Sequence, residues 1–566
     1  MFKGMFGGIG RRDIFAIAAL AVAGVGIPLW LAAAAGAIGV PSNDDWVYMR
    51  AAGSLFRTGS IDMPGHTAAS IGQIVMVQPL LWLSGGGLWA FTAFGLIMTL
   101  IGIVSTYFLA RRFVGTGSAV MVVLLLVAFP GFGREAASFM TDVPAYALTV
   151  LCLLLGTVWL QGEGGRVTLV ASIAAGILAV SIREFAFAAP AAVLVAGWAR
   201  NRAGERLWLA AMSGILVAGV ACVLIIADSL PGHGAPAAPA APKLLQLIFL
   251  GPAFSTLAAV LLPAAALAIG RGMASLRSQQ IILAAGLVLL FNFLPRGPLV
   301  GNIWMTNGLA GDFLLSGTRD PVIGSIAWTL SGQLALFAAI VFASLALSWG
   351  RRNLAGVSSL STAMGPAIRI GRSRDAPILI FLVAYATELV VFVSVTGMFD
   401  RYLYPMVAVA AILLLRGSAG PSRLGRSYAF SHAAFAWLAA SAFVIAANSF
   451  AYDAARYRAG EAAVAMGYDA RTVDAGYEWV GYHARVVGNS GSGTYGLMWY
   501  DDTLLSDPPC AVFSNSPLDD GALRLIRVDR SAYLQYLFFG PAEPLYLYGS
   551  LAKGCPPPPP AVAAAP

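Results

Sequence analysis

The sequence predicts an all-α polytopic membrane protein of about 13 transmembrane helices, followed by a small extracytoplasmic α/β domain. Three observations carry this prediction. Only 11% of the 566 residues are charged and 58% are hydrophobic, against the roughly 25% charged of ordinary soluble domains. So few charges cannot clothe a water-soluble body of this size, and the mean hydropathy of +0.77 agrees. Apolar runs of about 20 residues recur through the first 450 positions, each long enough to cross roughly 30 Å of hydrocarbon. Beyond residue 450 the composition changes: 11 of the 18 tyrosines and 12 of the 27 acids fall within residues 451–566.

Spans are expected at 14–37, 88–110, 117–130, 144–160, 167–181, 185–198, 207–227, 247–269, 279–295, 325–349, 377–397, 402–416 and 430–450. The stretch 71–84 is apolar but broken by Gln73, Gln78 and Pro79, so it reads as a re-entrant or interfacial segment. The first apolar run is longer than the core of a secretory signal, so it reads as an uncleaved anchor despite Arg11 and Arg12 before it. With the N-terminus inside, 19 Lys and Arg fall on inside segments and only 8 on the outer loops before residue 451. That asymmetry fits cations gathering on the cytoplasmic face, and an odd number of spans then puts the tail outside. The net charge of +8 is dispersed among loops rather than clustered, so no nucleic-acid partner is expected. Arginine makes up 32 of the 35 cations, which, with the abundant Ala and Gly, suggests a GC-rich bacterial gene and a cytoplasmic (inner) membrane location.

The division is therefore 1–450 for the membrane domain, with outer loops 38–87, 131–143 and 296–324, then 451–555 for a soluble domain, then a disordered Pro/Ala end at 556–566. In an oxidising outer compartment Cys510 and Cys555 would pair, whereas Cys152 and Cys222 lie in spans and read as packing residues.

Acids concentrate on the outer side, so a site would face outward. The strongest cluster is Ser42-Asn43-Asp44-Asp45-Trp46-Val47-Tyr48, just after the first span. Adjacent carboxylates raise one another's pKa, which suits a base that deprotonates a hydroxyl. The same residues also suit a helix start, with Ser42 or Asn43 as cap and Trp46, Met49, Gly53 and Phe56 forming a face laid on the membrane surface. Asp142, just before Pro144, reads as a second acidic position or as a helix cap. In the short turn Phe399-Asp400-Arg401-Tyr402, Arg401 would neutralise a phosphate or pair locally with Asp400, and Arg183-Glu184 presents the same choice. Glu388 lies within a span, where an ionisable group suggests function or a buried partner. Asp312, Arg319 and Asp320 occupy the long outer loop. There is no Walker A loop or H-E-x-x-H helix, and the four histidines are scattered.

These motifs resemble those of the GT-C glycosyltransferases, in particular the bacterial group related to protein O-mannosyltransferases and lipid A aminoarabinose transferases (glycosyltransferase family 39-like). Asp44-Asp45-Trp46-Val47-Tyr48 is similar to the family's Asp-Glu-x-x-Tyr, with Asp at the second position. Thr141-Asp142-Val143-Pro144 looks like its second acidic motif, and Arg401-Tyr402-Leu403-Tyr404-Pro405 like its Arg-Tyr-x-x-Pro turn. Where the aminoarabinose group has Lys-Pro-Pro-Leu, this chain has Val77-Gln78-Pro79-Leu80 and lacks the cation. The resemblance implies inverting transfer of a hexosyl or pentosyl group from a polyprenyl-phosphate donor to a cell-envelope lipid, glycan or protein hydroxyl. In that expectation Asp44 is the general base. Asp45 and Asp142 orient the acceptor or a divalent cation, Arg401 and Arg183 bind the donor phosphate, and Tyr48, Tyr402 and Glu388 contact substrate. A transporter or flippase of lipid-linked glycans is the alternative, and essential ionisable residues deep in the spans would mark it.

Overall fold

The computed structural model describes residues 9–63, 69–200, 204–230, 244–272, 278–293, 299, 301, 303–305, 314–318, 322–354, 373–396, 398–416, 425–483, 498, 500, 504–505, 509–534 and 542–558. Every predicted span coincides with a helix. Among the described residues, eight are long and apolar enough to cross a bilayer: α1 (Arg11–Ala35), Trp89–Arg111, Asp142–Leu160, Arg206–Ser229, Leu247–Leu267, Ser325–Ser348, Ala376–Val393 and Tyr428–Ala465. The other five predicted spans fold as shorter helices, Thr116–Val127, Arg166–Val180, Ala188–Arg200, Ser278–Phe293 and Tyr404–Leu415. Large apolar side chains such as Phe15, Leu207, Ile282, Phe293 and Ile326 point outward from these helices, as lipid-facing side chains do. The chain is an all-α polytopic membrane protein with a small C-terminal sheet.

The stretch 71–84 forms two short helices, Ile71–Met76 and Gln78–Ser84, tucked beside the bundle. The segments richest in arginine meet at one end of the bundle. There Tyr107 donates to Asp13, Arg112 pairs with Glu163, Arg374 donates to the Arg112 carbonyl, and Arg416 pairs with Asp375. The acidic motifs collect at the opposite end.

Three elements place those motifs. Helix α2 (Asp45–Thr58) follows α1 after a bend in which Asn43 takes a φ of 55°. The expectation of an amphipathic helix on the membrane surface is corrected here. Trp46 and Met49 are buried inside the protein, Trp46 among Val480, Tyr500, Leu504 and Leu505. Helix α3 (Asp142–Leu160) is enclosed along almost its whole length by Trp89–Arg111, Arg166–Val180 and Ala188–Arg200. It carries Asp142 at its N-terminus, and its own dipole favours an anion there.

Helix α4 (Gly425–Ala465) is the third. It is 41 residues long, about 60 Å, so this helix runs on past residue 450, where the last span was expected to end. The end beyond that point turns Tyr452, Ala455, Ala459 and Ala463 into the core of the C-terminal domain. That domain is a four-stranded sheet in the order β1-β2-β4-β3: β1 (Val473–Asp474), β2 (Ala511–Ser514), β3 (Leu523–Leu534) and β4 (Ala542–Ser550). β1 runs parallel to β2, and the other neighbours are antiparallel. A short helix, α5 (Tyr477–His483), follows β1. Cys510 and Cys555 form a disulfide that closes a 45-residue separation. Asp312, Arg319, Asp320 and the pair Asp501-Asp502 lie outside the described residues, as does 559–566 of the Pro/Ala end.

Candidate active site

Asp44 stands at the head of α2 and caps nothing with its side chain. Its carboxylate is 39% exposed, whereas the arginines and the other carboxylate around it are buried. Oδ1 accepts from the Tyr477 hydroxyl at 3.0 Å, and Oδ2 lies 4.0 Å from the Arg401 guanidinium. Asp45, one position later, does a different job. It is 1% exposed, and its two oxygens accept from the backbone N–H groups of Ser42 and, at 3.2 Å, Phe139. It therefore staples the first polar loop to the second. Burial pushes its pKa well above the usual carboxylate range, against the two N–H donors and the charge of Arg134.

Asp142 is buried between two guanidinium groups. Arg401 Nε lies 3.1 Å from Oδ2, and Arg183 donates to the same oxygen at 3.3 Å. Local pairing was the other expectation for both arginines, and the structure uses their acidic neighbours elsewhere. Asp400 accepts from the N–H groups of Ile303, Trp304 and Arg401, at 3.0, 2.7 and 2.8 Å, and so holds the turn that aims Arg401. Burial raises the Asp400 pKa despite these donors. Glu184 accepts from the Ala69 N–H at 2.9 Å.

The Tyr402 ring lies against both cations, 5.5 Å from the Arg183 guanidinium and 5.7 Å from that of Arg401, while Phe399 lies 4.6 Å from Arg401. Burial alone would lower both arginines, but Asp142 carries both above their ordinary values, so both stay charged in this dry site. Tyr48 is buried on α2 within the fields of Arg183, Asp44 and Asp142, and burial pushes its hydroxyl pKa up.

Two expectations find no place in this cluster. Glu388 sits on the helix Ala376–Thr396, facing the Ala188 N–H. Among the described residues it makes no ion pair. Gln78, in the position of the missing cation, donates to the carbonyls of Ile74 and Ala52 at 2.8 and 3.2 Å and is structural. Of the two aspartates expected to orient the acceptor or a divalent cation, Asp45 has both oxygens on backbone N–H groups, while Asp142 has Oδ2 between two arginines and Oδ1 without a hydrogen bond. Among the described residues no three His, Cys, Asp or Glu side chains gather to hold a metal.

Sequence reasoning missed the surrounding shell. Arg134 and Glu135 are fully buried on the short helix Phe132–Ala136. Neither Glu135 oxygen accepts a hydrogen bond, and its pKa is pushed up to about 7, first by burial and then by the charge of Asp142. Arg134 pairs with Asp453 at 3.0 Å, and Arg456 holds Asp453 at 2.7 Å and Glu478 at 2.6 Å. The adjacent Arg-Glu pair in a short loop was a readable signal. Nothing local marked Asp453, Arg456, Tyr477 or Glu478.

No protein-family model matches the chain, and no curated protein does. Among solved structures it is similar to ArnT from Cupriavidus metallidurans bound to undecaprenyl phosphate, at 12% identity and a TM-score of 0.39, over 96% of this chain and 99% of that one. It is also similar to the archaeal oligosaccharyltransferase AglB from Archaeoglobus fulgidus in complex with an inhibitory peptide and a dolichol-phosphate, at 15% identity and a TM-score of 0.36, over 76% of this chain and 57% of that one. Likenesses at TM-scores this low do not decide the chemistry, which rests on the residues described above.

Proposed function

We propose that this chain is a membrane glycosyltransferase that moves a sugar from a polyprenyl-phosphate donor to an acceptor hydroxyl on the outer face of the membrane, with inversion. One observation carries the reading. An accessible carboxylate, Asp44, stands 4.0 Å from an arginine that, with Arg183, flanks a buried aspartate at the end of the bundle opposite the arginine-rich one.

The chemistry follows from that arrangement. Asp44 Oδ2 takes the proton of the acceptor hydroxyl as the acceptor oxygen bonds to the anomeric carbon. The bond from that carbon to the phosphate oxygen breaks on the opposite side, and its electron pair leaves with the polyprenyl phosphate. Arg401 and Arg183 hold the charge of the leaving phosphate, in a site dry enough for that charge pairing to count. Asp142 is a positioning residue that keeps the two guanidiniums apart and aimed. Asp45 is a positioning residue too, acting through the loop that presents Asp44. Tyr402, stacked with both arginines, and the buried Tyr48 complete the wall. A donor held by its lipid explains why the site sits at the end of so many apolar helices.

The test uses purified protein in detergent, radiolabelled polyprenyl-phosphate hexoses and pentoses, and native membrane extract. Wild type is expected to transfer label to an extractable acceptor, and Asp44→Asn at matched folding is expected to keep only a residual fraction of it, down by about 10²–10⁴-fold. Activity retained at the wild-type level in Asp44→Asn removes the base assignment. The flippase alternative draws on Glu388 alone, and label crossing vesicle membranes without donor consumption would favour it.

A further inference from the structure

Ser42, Asn43 and Asp44 are consecutive, and each is fastened to a residue more than 400 positions later. The Ser42 hydroxyl donates to Asp453 Oδ2 at 2.6 Å, the Asn43 N–H to Glu478 Oε1 at 2.8 Å, and the Tyr477 hydroxyl to Asp44 Oδ1 at 3.0 Å. The three partner side chains, Asp453, Tyr477 and Glu478, belong to the far end of α4 and to α5, that is, to the C-terminal domain rather than the helical bundle. They are themselves tied together: Arg456 bridges Asp453 and Glu478, and Asp453 reaches Arg134 beside the site.

The chain is built to deliver α5 to this place. Asp474 Oδ1 accepts from the Gly476 N–H at 2.9 Å and the Tyr500 hydroxyl at 3.0 Å, which turns the chain out of β1. Gly476 has a φ of 105°, and a Cβ there would come 2.2 Å from Arg456 Nη1. At the other end of α5 a Cβ on Gly481 would come 2.3 Å from the Trp46 ring, while the Gly481 carbonyl accepts from Arg50 at 2.8 Å. Side chains of α2 therefore pack directly on the α5 backbone. Asn43 meanwhile holds a left-handed bend, with a φ of 55°, that persists where the surroundings enforce it. The Glu478 carboxylate on its N–H is such an enforcement.

We propose that the C-terminal domain completes the catalytic site, with Tyr477 as the residue that orients the Asp44 carboxylate and Glu478 as the residue that fixes the bend presenting it. The inference rests on the transferase reading and adds a role for residues outside the membrane bundle. With Oδ1 taken by the Tyr477 hydroxyl, Oδ2 is left facing Arg401 and the acceptor. The Tyr477 ring packs edge-on against Trp46 at 5.8 Å, so removing only the hydroxyl leaves the packing in place.

Three measurements on the full-length protein test this. Tyr477→Phe is expected to lower kcat 10- to 100-fold, with donor KM within twofold of wild type and an unchanged unfolding midpoint. In an Asp44→Asn background the same substitution is expected to cost less than twofold, because there is no carboxylate left to orient. Amide hydrogen exchange of residues 42–46 is expected to speed up at least tenfold in Glu478→Gln and to stay at the wild-type rate in Tyr477→Phe. Wild-type kcat in Tyr477→Phe, or a full 10-fold loss persisting in the Asp44→Asn background, overturns the role of Tyr477. Unchanged exchange in Glu478→Gln overturns the role of the C-terminal domain. The exchange measurement needs no turnover, so it decides that part even if wild type transfers no sugar and the transferase reading itself falls.

Discussion

Asp142→Asn tests the electrostatic core of the site. The carboxylate holds two guanidiniums at 3.1 and 3.3 Å, and all three side chains are at most 8% exposed. At an effective dielectric of about 20, each pair attracts by roughly 5 kcal/mol, which offsets the cost of taking three charges out of water. Asparagine keeps the shape and one accepting oxygen but leaves two buried cations without their shared counter-charge. Breaking a buried pair in this way costs about 3–5 kcal/mol. We expect about 3 kcal/mol here, at the lower end, because the amide oxygen still accepts. The assay is thermal or chaotrope unfolding in detergent, followed by fluorescence. Two further arms tie the loss to charge. Asp142→Asn with Arg183→Met should regain about half the stability, because one orphaned cation is gone. Added undecaprenyl phosphate should raise the midpoint of Asp142→Asn more than that of wild type, because its phosphate replaces the missing charge. A loss below about 1 kcal/mol, or equal lipid-induced shifts in the two proteins, would refute the picture of a phosphate cradle spaced by Asp142.

Other outcomes follow from the same geometry. Asp44→Asn should reduce kcat by about 10²–10⁴, the usual contribution of a general base, with little change in unfolding because the side chain is 39% exposed; matched kinetics and melting check both halves. Cys510→Ala with Cys555→Ala removes a closure of 45 residues, worth about 4 kcal/mol by loop entropy; proteolysis of the C-terminal domain with and without reductant should show it loosening first. Glu135 titrates at about 7 when folded against 4.5 ordinarily. Its folded pKa is raised, so the stability it contributes is fully present below pH 4.5 and lost as pH rises through 7, by about 3 kcal/mol. Unfolding midpoints of wild type and Glu135→Gln between pH 5 and 8 should therefore converge toward acid and separate toward alkali, with the variant the more stable.

The membrane class and the helix positions were legible in the sequence because they depend on local quantities. Twenty apolar residues in a row announce a span whatever surrounds them, and the shift toward Tyr and acids after residue 450 announced a second environment. The pairing of Cys510 with Cys555 needed only their being the two cysteines beyond the last span. The run 42–48, Asp142, Arg183 and Arg401 were also visible, as charges in short loops between spans.

What each charge does was decided by tertiary structure. Asp44 and Asp45 are neighbours with the same side chain, yet one is half-open beside Arg401 and the other is closed over two N–H groups. The sequence places a carboxylate but does not say which donors will reach it, and in a dry interior those donors decide whether it serves as a base or as scaffold. Asp400 and Glu184 went the same way, each taking backbone N–H groups and leaving its neighbouring arginine to Asp142. The reach of the C-terminal domain into the first loop is the extreme case. Separations of 411, 433 and 435 residues between hydrogen-bonded partners carry no local signature, because the contact exists only where α4 and α5 bring the two ends of the chain together.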